Sequence, residues 1–153
     1  MISSVVGTGF ELINFKKDKD YFYTEYLQGD KFSADCIFLN GSLNTCMIRN
    51  NGTLIKYRPP TITAKTSEDN DVLEFAIKVG QKLNLNGFHQ IECGKDNFGK
   101  VKLIEINPRL DATLPITKCY NHNFYELLLL NKSVGLMKPE KKIFHRYFMS
   151  HAI

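Results

Sequence analysis

Short extended runs parted by asparagine–glycine turns commit the first third of the chain to antiparallel strands. Phe32 to Leu39 and Thr45 to Arg49 flank Asn40-Gly41, and Thr53 to Tyr57 follows Asn50-Asn51-Gly52. Asn and Gly both tolerate the positive φ that a two-residue hairpin turn requires, so such pairs between apolar runs predict hairpins. Phe10 to Phe15 and Tyr21 to Leu27 extend the pattern upstream, with Lys17-Asp18 and Gly29-Asp30 as turns. Pro59-Pro60 is expected to stop the sheet, because proline has no N–H to give a ladder.

The period then changes. Val72, Leu73, Ala76, Ile77, Gly80 and Leu83 recur at helical spacing and form one apolar stripe. Thr66 or Ser67 is placed to cap that helix, with Glu68, Asp69 and Asp71 near its positive end and Asn86-Gly87 after it. Two strands follow, Phe88 to Cys93 and Val101 to Asn107, joined through Asp96-Asn97-Phe98-Gly99. Gly99 suits the left-handed position of a bulged turn. A short helical stretch is expected around Thr113 to Tyr120. A firmer helix is expected from Phe124 to Asn131, capped by Asn123, with Leu127 to Leu130 as its core. Lys142 to Ser150 alternates as a last strand would. The class expected is α+β: a mainly antiparallel sheet with helices packed on one side, in a single domain over residues 1–153.

Composition narrows the function. No apolar run reaches the ~18 residues that a membrane span needs, and MISSVVGTGFELINF lacks the basic and long apolar regions of a secretory signal. A cytoplasmic protein without membrane contact is therefore expected. Cys36, Cys46, Cys93 and Cys119 form no CxxC pair, which speaks for free thiols over a zinc site, and the sequons at Asn40, Asn51 and Asn131 would carry no sugar. A formal charge of +4 suits an anionic ligand such as a nucleotide. The basic residues are dispersed, Lys16-Lys17 and Lys141-Lys142 being only pairs, so no nucleic-acid partner is expected. Tyr21, Phe22, Tyr23 and Phe32 read as core aromatics, and His89 as a packed strand residue.

The chemistry concentrates in Ile104-Glu105-Ile106-Asn107-Pro108-Arg109. Residues two apart on a strand share a face, so Glu105 and Asn107 project together while Ile104 and Ile106 point into the core. A carboxylate and an amide oxygen are hard ligands of the kind magnesium prefers. Proline ends the strand, and Arg109 leaves at its tip, where a guanidinium can grip phosphate or carboxylate. If the preceding hairpin closes at Asn97-Phe98, Gln90 falls opposite or nearly opposite Glu105 and brings a third oxygen, with Phe88 and Glu92 on its face. Four fixed residues in Glu-x-Asn-Pro-Arg, each at about 5% usage, coincide by chance on the order of once per 10⁵ positions.

On these residues the run from Glu25 to Gly135 resembles the C-terminal two-thirds of an ATP-grasp domain, closest to carbamoyl-phosphate synthase-like carboxylate–amine ligases. The resemblance implies a magnesium or manganese site at Glu105 and Asn107, with Gln90 as the further oxygen ligand on the preceding strand. It implies catalytic roles for Arg109 and for Arg49, which stands where the family often has an arginine near the phosphates or the acyl substrate. Thr24-Glu25-Tyr26-Leu27-Gln28-Gly29-Asp30 is similar to the family's hinge strand, whose backbone pairs with adenine, so Glu25, Tyr26 and Leu27 would contact ATP. Lys31 replaces the glutamate that usually binds the ribose, and Leu110-Asp111-Ala112 replaces glycines. Val6-Gly7-Thr8-Gly9 resembles only the tail of the phosphate-covering loop, which implies a partial domain whose N-terminal lobe lies elsewhere. The implied function is that of an ATP-dependent ligase joining a small carboxylate to an amine or other nucleophile. The alternative is a non-catalytic binding or assembly module on the same fold. The sequence leaves the oligomeric state open, a homo-oligomer included.

Overall fold

A computed structural model describes residue 25 and residues 27–51, 54–55, 58–61, 63–110, 124–130 and 143–145. Eight strands and two helices lie within them: β1 Lys31–Leu39, β2 Ser42–Asn51, β3 Leu54–Ile55, β4 Arg58–Thr61, β5 Thr63–Ser67, α1 Asn70–Leu83, β6 Gly87–Lys95, β7 Val101–Asn107, α2 Phe124–Leu130 and β8 Ile143–His145. Six strands form one sheet in the order β7-β6-β1-β2-β5-β8, and every pairing in it is antiparallel. The α+β class and the antiparallel lobe are those expected from the sequence. The strands expected at Phe10 to Phe15 and upstream of Leu27, the helix at Thr113 to Tyr120, and Val6 to Gly9 lie outside the described residues, as do the Asn123 cap and Asp111.

The β1–β2 turn is built as the Asn-Gly pair requires, with φ of 48° at Asn40 and 77° at Gly41. Alternation along the strands then divides the sheet into two faces. One gathers Phe32, Ala34, Cys36, Phe38, Cys46, Ile48, Ile91 and Cys93 against Val72 and Ala76 of α1. The other gathers Ile37, Met47, Ala64 and Phe88 with Phe124 and Leu127 of α2. His89 packs its ring edge-on to Phe38, as a strand residue should. Cys36 and Cys46 face each other with sulfurs 3.4 Å apart, and they and Cys93 are free and buried. Burial raises the Cys36 thiol well above its ordinary value and pushes Cys93 to about 12.

Several local expectations are corrected. Pro59 and Pro60 lie inside β4 instead of ending the sheet. The β3–β4 register pairs Leu54 with Thr61 and Ile55 with Arg58, so the two prolines fall at a bulge where no ladder N–H is asked of them. The chain then returns as β5, a strand missed in the sequence, which pairs Ser67 with Ile48 and Ala64 with Asn51. Thr66 and Ser67 are therefore strand residues, and the helix cap is Asp69, whose Oδ1 accepts from the Val72 amide at 3.1 Å. The same carboxylate takes Lys95 Nζ at 2.7 Å, which ties the start of α1 to the end of β6. Left-handed Asn84 ends α1 at Leu83, which is exposed instead of completing the stripe. Leu129 and Leu130 are exposed as well, leaving Leu127 as the buried leucine of α2.

Gly80 shows how tightly α1 sits on the sheet. A Cβ there would lie 2.6 Å from Cδ1 and Cζ of the fully buried Phe38 ring, and closer still to Cε1. In an exposed helix Gly→Ala stabilises by about 1 kcal/mol. Here overpacking costs ~1–3 kcal/mol and outweighs that gain, so Gly80→Ala should lower the unfolding free energy by up to about 2 kcal/mol. Urea unfolding checks this. Phe38→Leu in the Gly80→Ala background should recover part of the loss, whereas a stabilised Gly80→Ala protein would mean that helix and sheet are farther apart.

Candidate functional site

The polar residues of the sheet share the face that holds Ile37 and Met47. The ladder sets them in two neighbouring rows. Met47, Asp35, Gln90 and Asn107 are successive cross-strand partners across β2, β1, β6 and β7. Arg49, Ser33, Glu92 and Glu105 form the next row. Apart from Met47 these positions are polar, and because they alternate along their strands the pleat turns them to one side.

The side chains connect. Asn107 Nδ2 donates to Glu105 Oε1 at 2.7 Å and to Gln90 Oε1 at 3.5 Å. Gln90 Nε2 donates to Asp35 Oδ1 at 3.3 Å. Arg49 grips the same carboxylate at two points, Nε to Oδ2 at 2.8 Å and Nη2 to Oδ1 at 3.1 Å. Beside this chain Asn51 Nδ2 donates to Ser33 Oγ at 2.8 Å. Gln90 thus meets Asn107 directly, and Glu92, not Gln90, stands opposite Glu105. The register differs from the expected one by two residues: the turn closes one residue later than Asn97-Phe98, pairing Lys95 with Val101, and a bulge between Glu92 and Cys93 leaves one further residue of β7 unpaired. Ile104 is that residue; on an edge strand it is 45% exposed instead of buried, while Ile106 packs against the core as expected.

Arg49 is not at an open surface. Its side chain is 1% exposed and that of Asp35 0%, so the guanidinium is held inside the sheet face by a buried counter-ion. Arg109 is exposed just past the end of β7. Glu25 pairs with Lys102 Nζ. Leu27 is buried and would touch a Cβ placed on Gly94 at 3.0 Å, and Asp30 O accepts from Lys95 N at 3.1 Å. This segment therefore runs along the turn end of the β6–β7 hairpin. Lys31 opens β1 opposite Gly94 and is exposed. Tyr26 lies outside the described residues. Gly94 and Gln90 are four residues apart on β6, about 13 Å at ~3.3 Å per residue.

The hairpin turn itself is braced by Asp96, which accepts from the Phe98 and Lys100 amides at 2.9 Å each, with Gly99 at φ 78°. Burial pushes this carboxyl up, but the Lys100 and Phe98 amides and Lys102 outweigh it and hold it below the ordinary value of 3.8. A depressed carboxyl stabilises the fold above its unfolded-state value and loses that contribution as pH falls through the folded one. The stability gap between wild type and Asp96→Asn should therefore close as thermal unfolding is followed from about pH 5 down to pH 2. A gap constant over that range contradicts the assignment.

The donor set fits a small hard cation. Two oxygens, Glu105 Oε1 and Gln90 Oε1, already converge on the hydrogens of one amide, the place of positive charge in the cluster. One carboxylate with two amides is a sparse set, as magnesium takes when phosphates and water supply the rest. Among the described residues no group of three His, Cys, Asp or Glu could hold a metal, and no helix there is long and apolar enough to cross a membrane.

Comparison with known proteins decides the family. The profile described as "ATP-grasp in the biosynthetic pathway with Ter operon" matches residues 17–147. The chain belongs to the ATP-grasp superfamily. A comparison with curated proteins finds no match. Solved structures similar to the ATP-grasp chain include L-amino acid ligase from Bacillus licheniformis, with TM-score 0.54 and 17% identity over 69% of this chain and 30% of that one. Phosphoribosylglycinamide synthetase from Anaerococcus prevotii gives 0.55 and 18%, over 68% and 29%. N5-carboxyaminoimidazole synthetase from Staphylococcus aureus, complexed with ADP, gives 0.55 and 15%, over 75% and 32%. At these identities the likeness is one of fold, and the ATP-grasp chain spans about a third of each of those proteins.

One residue of this ATP-grasp polar face, Asp35, escaped the sequence reading. It sits two positions from Ser33 on the same face, and that spacing alone was the signal. Asp35 was passed over because a lone Asp in an apolar strand carries no motif, and its partners Arg49 and Gln90 come from two other strands.

Proposed function

We propose that this chain is the nucleotide- and cation-holding part of an ATP-dependent ligase, of the carbamoyl-phosphate synthase-like kind, that activates a carboxylate for attack by an amine or other nucleophile. The observation that carries the reading is the convergence of Glu105, Gln90 and Asn107 at one edge of the polar face. In such a reaction a carboxylate oxygen attacks the γ-phosphorus of ATP, ADP leaves, and the nucleophile then displaces phosphate from the acyl carbon. Mg2+ or Mn2+ bound at the three oxygens would neutralise phosphate charge.

The residues of the chain then divide the work. Glu105 supplies the anionic oxygen, Gln90 and Asn107 the neutral ones. Arg109, exposed beyond Asn107, stabilises charge on the transferring group. Glu25 and Leu27 lie along the turn end of the same hairpin, and about 13 Å of strand separates Gly94 beside them from Gln90. That spacing suits a nucleotide laid along β6 with its base at the hinge and its phosphates at the cation. Lys31 at this end replaces the acceptor that the family offers to ribose; lysine only donates, so sugar contacts come from other groups. A second lobe, closing the site from the other side, is assigned to protein beyond these elements.

Magnesium-dependent ADP release by the complete protein, measured across a panel of small carboxylates and amines, tests this. Release that needs both a carboxylate and the metal is expected. Lys31 favours the rival reading, a non-catalytic module. Nucleotide binding with no ADP release for any pair, together with unchanged binding in Glu105→Gln, would establish that rival instead.

A further inference from the structure

We propose that Asp35 is a positioning residue for the cation site: clamped by Arg49, it turns the Gln90 side chain so that its oxygen faces Asn107 and Glu105. The inference rests on the cation site proposed above. Asp35 is fully buried and receives donors from two sides, Arg49 at 2.8 and 3.1 Å and Gln90 Nε2 at 3.3 Å. An ionised carboxylate only accepts. A Gln90 amide turned the other way would set Oε1 against Asp35 Oδ1, oxygen to oxygen, with no proton between them. The NH2 end is therefore held inward, and Oε1 points to the site edge, 3.5 Å from Asn107 Nδ2. A free amide presents either end with little preference, but only its oxygen can meet a cation.

Arg49 has a distinct part in this. Its two-point grip prevents the Asp35 carboxylate from rotating and supplies the counter-charge that lets it stay buried. The sheet adds rigidity, since Asp35, Gln90 and Asn107 are consecutive partners on β1, β6 and β7. Arg49 thus acts through Asp35 and Gln90 and need not touch the reacting phosphate. A purely structural role, in which the pair only fastens β1 to β2, makes a different prediction.

The test uses Mn2+ alone, titrated into the chain and followed by electron paramagnetic resonance. Asp35→Leu/Arg49→Met replaces the ion pair with apolar groups of similar size. Mn2+ affinity should fall about 10-fold, the usual effect of losing an outer partner of a metal ligand. In a Gln90→Ala background the same double replacement should have no further effect. Undiminished affinity, or an equal loss with and without Gln90, would overturn the proposal. The Glu105→Gln arm keeps the two readings apart: Mn2+ binding that ignores Glu105 sinks the cation site itself, whereas binding that needs Glu105 but ignores Asp35 sinks only this inference. Should the double variant fail to fold, the wild type answers alone. The Gln90 side-chain NH2 should exchange slowly with water in NMR spectra, and rapid exchange would contradict its being held by Asp35.

Discussion

Asp35→Ala is expected to destabilise the protein by about 3–5 kcal/mol, a large share of the ~5–15 kcal/mol that holds a typical domain together. The cause is that the substitution removes the buried carboxylate that a buried guanidinium grips at two points. Arg49 is 1% exposed and has both Nε and Nη2 on Asp35. Without the carboxylate a guanidinium stays buried without that counter-ion, and Gln90 Nε2 loses the Asp35 acceptor as well. The pair itself is worth far less than its rupture, because desolvating both ions offsets most of their attraction. Asp35→Leu/Arg49→Met should therefore retain most of the stability that either single replacement to Ala loses. Chemical unfolding of the three variants measures this directly. A loss below about 1 kcal/mol for Asp35→Ala, the range of an exposed pair, would place Arg49 in solvent and remove the basis for a buried network.

Glu105→Gln should slow magnesium-dependent ADP release by about 10²–10³-fold in the complete protein. The substitution keeps the size of the side chain and one oxygen, but removes the single carboxylate among the three side chains, Glu105, Gln90 and Asn107, that converge there. Misplacing the γ-phosphate by weakening its metal forfeits ~3–4 kcal/mol of transition-state stabilisation, which sets that range. The fold should be nearly indifferent. Glu105 is exposed on an edge strand, and surface changes stay within about ±0.5 kcal/mol. Activity lost together with stability would instead point to a structural role. Turnover unchanged in Glu105→Gln would mean that the metal is held elsewhere.

How much was legible in the sequence follows from how local each signal is. The Asn40-Gly41 hairpin, the helical stripe through Val72 and Ala76, and the strand ending at Asn107 rest on contacts within a few residues, and all three are present. The pairing of Glu105 with Asn107 needs only the two-residue period of a strand. The position of Gln90 needs a register, and here a turn closing one residue later than expected and one bulge together moved its partner from Glu105 to Asn107. Strand β5 was hidden because Thr63 to Ser67 lacks an apolar run, and its burial comes from β2 and β8 on either side. The surroundings of Arg49 were the least legible: nothing in the strand around it announces that a carboxylate fourteen residues earlier lies beside it. Non-local partners of this kind leave no spacing rule in the chain.

A divalent cation bound beside Glu105 would be visible directly. Substoichiometric Mn2+ added to the isotope-labelled chain broadens NMR signals of nuclei near it, with no substrate, nucleotide or turnover required. The side-chain amides of Gln90 and Asn107 and the carboxyl group of Glu105 should fade first, before Asp69, Asp71 or the Asp96 turn, and the effect should vanish in Glu105→Gln. Broadening centred on those other acidic residues, or persisting at Gln90 and Asn107 after Glu105→Gln, would contradict the cation site.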